Sequence, residues 1–94
     1  MAKRLIVSRA AYLHIDRIIE FNDIRNQSST YSLKFVKSLF KQLERLKLFP
    51  FMGIETSKDD TYLLIWNAYY IYYVITETAV EIKAIYHQKE NLTR

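Results

Sequence analysis

Tyr62-Leu63-Leu64-Ile65-Trp66, Asn67-Ala68, Tyr69-Tyr70-Ile71-Tyr72-Tyr73-Val74-Ile75, Thr76-Glu77-Thr78-Ala79 and Val80-Glu81-Ile82-Lys83-Ala84-Ile85-Tyr86-His87 form one continuous stretch: three apolar runs separated by two short polar breaks. Aromatic and β-branched residues dominate the runs, as they do in half-buried strands. The breaks are too short for a crossover, so the three strands are expected to pair antiparallel with their neighbours. The last run alternates with period two. Val80, Ile82, Ala84 and Tyr86 fall on one side, and Glu81, Lys83, Ile85 and His87 on the other.

Upstream the period changes to that of helices. From Ala10 to about Asn26, the residues Ala11, Ile15, Ile18, Ile19 and Asn22 fall on one helical arc. Ser8 stands where a side chain accepts from an early orphan N–H. Asn26-Gln27-Ser28-Ser29-Thr30 breaks the helix, and Ser29 or Thr30 is expected to cap a second one running to about Leu48. Leu33, Val36, Phe40 and Leu43 form its stripe, widened by Phe35, Leu39 and Leu46. Phe49-Pro50-Phe51-Met52-Gly53 stops it, because Pro50 disfavours helical geometry at Phe49. Residues 54–60 read as a polar loop, and Leu5-Ile6-Val7 as a first strand. The expected fold is α+β: a two-layer β-α-α-β-β-β domain spanning 1–94, its helical hairpin packed on one face of an antiparallel sheet.

Composition narrows the chemistry. Half of the 94 residues are apolar and 26% are charged, a globular balance. One Gly rules out a phosphate-cradling loop or a dinucleotide fingerprint. Without Cys there are no disulfides, thiolate metal sites or cysteine nucleophiles, which fits a cytoplasmic protein. The two His residues, 14 and 87, have no local ligand spacing, so no metal and no cofactor are expected. No apolar run approaches the ~18 residues of a membrane span, and the start is too short for a signal-peptide core.

Charge is uneven. Residues 1–50 carry ten Lys/Arg against four Asp/Glu, whereas residues 51–94 carry four against six. Lys34, Lys37, Lys41 and Arg45 share an arc of roughly 80° opposite the apolar stripe of the second helix. They are the candidate nucleic-acid contacts, since each phosphate contact adds sequence-independent affinity; a solvated helix face is the plainer reading. Six of the eight Tyr lie between Tyr62 and Tyr86. Tyr suits a surface that is apolar and still needs polar contacts, so Tyr70, Tyr72 and Trp66 are candidates for partner binding. His87, ending the last strand, has an unperturbed pKa of ~6.5 suited to acid/base work, or simply bonds the backbone there.

Taken together, Ser8-Arg9-Ala10-Ala11, Ile15-Asp16-Arg17-Ile18, the Phe40–Phe49 helix end with its Pro50–Gly53 stop, Tyr69–Tyr73 and Ile82–Lys89 resemble the RelE/ParE superfamily of bacterial toxins. The resemblance runs from Leu5 to about Asn91. It implies a toxin of a type II toxin–antitoxin system, neutralised by a cognate antitoxin that wraps it with a helix or extended segment. ParE-like members inhibit DNA gyrase; RelE-like members enter the ribosome and cleave mRNA by 2′-OH attack. Where the ribonuclease branch places an Arg after an aromatic residue, this chain has Tyr70, and Gln88 stands where a basic residue is expected past the last strand. Losing that Arg removes a fixed cation for the developing phosphate charge. The expectation is therefore gyrase poisoning. The alternative is an mRNA endonuclease with His87, Lys83 and Lys89 as catalytic candidates. A non-toxic RNA-binding module is the third reading.

Overall fold

The computed structural model describes residues 3–89. Its elements are β1 (Arg4–Val7), α1 (Arg9–Asn26), α2 (Thr30–Leu48), a 3-10 turn over Pro50–Met52, β2 (Ile54–Glu55), β3 (Thr61–Trp66), β4 (Tyr69–Ile75) and β5 (Ala79–His87). The strands form one sheet in the order β1-β5-β4-β3-β2. The two helices lie on one face, so the expected α+β architecture stands. The sheet is mixed, because β1 runs parallel to β5 while every other pair is antiparallel. The helical hairpin between β1 and the rest supplies the long connection that a parallel neighbour needs.

The start of α1 is built as its sequence suggests. The Ser8 hydroxyl accepts from the Ala11 N–H at 3.1 Å and donates to the Lys83 carbonyl at 3.3 Å, tying the helix to β5. Ser8→Ala is expected to cost about 1 kcal/mol, read as a shift of the thermal midpoint; an unchanged midpoint would show that the cap contributes nothing. Ala11, Ile15, Ile18 and Asn22 are buried on the anticipated arc. Gln27 ends α1 in the left-handed region (φ 53°), donating its N–H to the Asp23 carbonyl.

α2 departs from its reading in two places. Ser29 occupies the N-cap position but makes no side-chain cap bond. Ser28 is used instead, its hydroxyl accepting from the Thr30 N–H at 3.1 Å. The buried arc is Ser32, Phe35, Leu39, Leu43 and Leu46, and Leu33 is turned out, 61% exposed. Ser32 explains the rotation. Its hydroxyl donates to Asp23 Oδ1 at 2.6 Å and lies 3.3 Å from the Ile19 carbonyl. A small hydrogen-bonding side chain thus seats α2 on α1, and at 100° per residue its neighbour Leu33 points away.

The segment after α2 is held by one phenol. Tyr73 on β4 is fully buried; its hydroxyl donates to the Pro50 carbonyl at 2.7 Å and accepts from the Gly53 N–H at 2.9 Å. Two backbone groups orphaned by the helix stop are satisfied by a strand across the core. Residues 54–60 are not wholly a loop: Ile54 and Glu55 pair with Leu63 and Tyr62. Two residues carry no periodicity, so the pairing shows only in the structure.

β5 holds the largest correction. Tyr72 pairs with Ala84 but Tyr73 pairs with Ile82, so Lys83 is an extra residue and the register shifts. Such a bulge reverses the phase of the alternation beyond it. Val80, Ile82 and Ile85 are all fully buried under the helices. His87 follows Ile85 onto the helix side, while Ala84 and Tyr86 go to the open face.

Candidate functional site

Three surfaces follow from this frame. The first is a cleft between the beginning of α2 and the β3–β4 hairpin, about 330 Å³ in volume. Phe35 and Tyr69 are buried at its base, with Trp66 and His87 beside them. The rings touch in series: Phe35 to Tyr69 at 5.0 Å, Phe35 to Trp66 at 5.9 Å, Trp66 to Tyr69 at 6.1 Å, and Tyr69 to His87 edge-on at 5.2 Å. Asn67 turns the hairpin at φ 53°, a left-handed value that Asn tolerates, and this brings Trp66 opposite Tyr69. The Lys89 N–H donates to His87 Nδ1 at 3.0 Å. With that nitrogen an acceptor, the neutral ring carries its proton on Nε2.

The second is the basic face of α2. Lys34, Lys37, Lys41 and Arg45 are all exposed and lie opposite the buried arc. Lys34 also lines the cleft, so the two surfaces join there. Lys47, off this face, pairs with Glu44 at 2.8 Å.

The third is the open face of the sheet. Tyr70 and Tyr72 lie on it, and the rings of Tyr72 and Tyr86 meet edge-on at 6.3 Å. Leu63 and Ile65, paired with Tyr72 and Tyr70, widen it, and Ile65 is 52% exposed. His14 closes one border from α1. Its Nδ1 accepts from the Ile85 N–H at 3.1 Å and its ring lies 4.8 Å from Tyr86. No spacing in the sequence marks His14; the approach of α1 to β5 beyond the residues that β1 pairs gives it this place.

The structure separates residues that the sequence grouped. His87 lies on the helix side of the sheet. Lys83 lies in the bulge and binds Glu81 at 2.9 Å. Lys89 adjoins His87 through its backbone. Tyr70 and Tyr72 share the open face, whereas Trp66 packs on Phe35 on the other. Phe35 and Tyr69 were missed as cleft residues, since their spacing marks only a helix face and a strand. Among the described residues no group of three His, Asp or Glu side chains could hold a metal ion, and no helix is long and apolar enough to cross a membrane.

Comparison with known proteins adds a family. The model of the ParE toxin of the type II toxin–antitoxin system parDE matches residues 5–92. Among solved structures, the chain is similar to one from the chromosomal ParDE toxin–antitoxin system of P. aeruginosa. The TM-score is 0.76 at 16% identity, over 92% of this chain and 96% of that one. At that identity the likeness concerns the fold. No curated protein matches the sequence.

Proposed function

The chain belongs to the ParE toxin family of type II toxin–antitoxin systems, and from that premise we propose that it arrests growth by poisoning DNA gyrase in the cytoplasm. A cognate antitoxin is its partner. The family match over residues 5–92 carries the reading. Two features of the chain support it. The endonuclease alternative relies on His87 as acid/base group working with Lys83 as the cation on one phosphate. Here His87 and Lys83 occupy opposite sides of β5, and the Lys83 ammonium is paired with Glu81. The α2 face of Lys34, Lys37, Lys41 and Arg45 offers a target that holds DNA a complementary surface, steering encounter by a charge attraction that salt weakens. On the same reading the antitoxin docks on the open face around Tyr70 and Tyr72, covering apolar surface that the isolated toxin leaves in water.

Pulse labelling after induction of the chain alone tests the target. Thymidine incorporation is expected to fall within minutes while methionine incorporation continues. Methionine falling first would put the ribosome in gyrase's place and return His87 to consideration as an acid/base group.

A further inference from the structure

We propose that the cleft beside Lys34 binds one unpaired nucleotide of a single-stranded nucleic acid, with the base against the aromatic walls and a phosphate on the Lys34 ammonium. At about 330 Å³ the cleft lies at the small end of the ~300–1,000 Å³ range of small-molecule sites. That admits one ring system and excludes a bulky ligand. Its walls present the half-buried rings of Trp66 and His87 above a floor of the buried Phe35 and Tyr69, all in one contiguous set of contacts, with the exposed Tyr31 ring at the rim. Stacking on such rings accepts any base, because every base has a π-face. Its rim carries Lys34, Ser38, Tyr31 and Asn67, which supply a cation, two hydroxyls and an amide. No lining residue is acidic, so nothing in the cleft repels an anion.

The source is a strand and not a free nucleotide. Lys37, Lys41 and Arg45 continue from Lys34 along ~16 Å of helix. A mononucleotide would leave these three unused, while the phosphates flanking a bound base would meet them. A base inside a duplex reaches such a cleft only by being extruded, so single strands are preferred. The inference holds whichever enzyme the toxin poisons. Gyrase inhibition without nucleotide binding would sink the cleft and leave the function standing.

Trp66 is the only Trp in the chain, and its emission therefore reports the cleft. The purified chain is titrated with a five-nucleotide oligothymidylate, with the same strand in a duplex, with thymidine monophosphate and with inorganic phosphate. The single strand is expected to quench Trp66 saturably and to bind at least about 5-fold tighter than the duplex. Phosphate alone is expected to leave the emission unchanged. Lys34→Ala, an exposed change that leaves the core intact, is expected to weaken the single strand and lower the salt slope by about 1. Tyr31→Ala provides a second exposed variant, weakening binding with no change in salt slope. No quenching by the single strand, equal binding of the duplex, or an unaltered Lys34→Ala would each overturn the proposal. Monophosphate binding as tight as the oligomer would overturn its assignment to a strand.

Discussion

Gly53→Ala is expected to lower stability by about 2–4 kcal/mol, combining overpacking with hydrogen bonds lost around it. The backbone at Gly53 is extended (φ −80°, ψ 179°), so any residue could adopt it. Space is what forbids a side chain. A Cβ there would lie 2.5 Å from the Tyr73 hydroxyl and 2.8 Å from the Leu63 carbonyl oxygen. Neither neighbour yields easily, since one is a buried phenol with two hydrogen bonds and the other is strand backbone. In a chain of this size the thermal midpoint should fall by at least about 8 °C. Tyr73→Phe in the Gly53→Ala background should not restore the wild-type midpoint, because the Leu63 carbonyl at 2.8 Å remains and the Pro50 carbonyl and the residue 53 N–H lose their partner. A midpoint unmoved by Gly53→Ala would contradict the close packing of the helix stop on β4. Burial also raises the Tyr73 pKa above its ordinary 10.0, against the opposing bond from the Gly53 N–H. A raised folded-state value keeps its stability intact below the unfolded pKa. That contribution is lost as the pH climbs past 10.0, when the unfolded chain ionises first.

The second large effect concerns the antitoxin. Replacing both Tyr70 and Tyr72 with Ala is expected to weaken antitoxin binding by at least about 2 kcal/mol, roughly 30-fold. Both rings are half-buried on the face away from the helices, so the loss should appear mainly in binding and less in the thermal midpoint. Cells carrying this variant should stop growing even when the antitoxin is co-expressed. Trp66→Phe, altered on the opposite side of the sheet, should keep full antitoxin affinity. Unchanged affinity in the double variant would move the antitoxin to another surface, and the exposed side of α1 would be the next place to look.

Much of this arrangement is legible in the residues themselves. Three apolar runs separated by breaks too short for a crossover leave the β3–β4–β5 meander little choice, and Ala11–Ile15–Ile18–Asn22 marks the seated side of α1. What escapes the sequence is set by pairing between distant segments. The bulge at Lys83 depends on the register of β5 against β4, and it carries His87 from the polar side to the aromatic cleft. One residue does betray it: Ile85 is an apolar misfit among Glu81, Lys83 and His87, and the structure buries it completely. Leu33 faces out because Ser32 bonds to α1, a contact no helical wheel contains. The Pro50–Gly53 stop is readable as a stop, but the phenol beneath it sits 20 residues beyond Gly53.

The candidate site divides in the same way. The basic face of α2 follows from spacing alone, because four cations at intervals of three and four must share a side. The cleft does not, because it joins Phe35 from a helix with Trp66, Tyr69 and His87 from three strands. His87 and Lys83 share a side only in an unbroken alternation, which the register shift in β5 interrupts.

Purified gyrase tests the proposed target most directly. The chain is incubated with gyrase, ATP and relaxed plasmid, and supercoiling and cleaved plasmid are followed with and without the antitoxin. The predicted result is loss of supercoiling with accumulation of cleaved DNA, both reversed by stoichiometric antitoxin. Supercoiling that continues unimpeded with the chain in excess over gyrase, while the same preparation cuts mRNA on translating ribosomes, would contradict it.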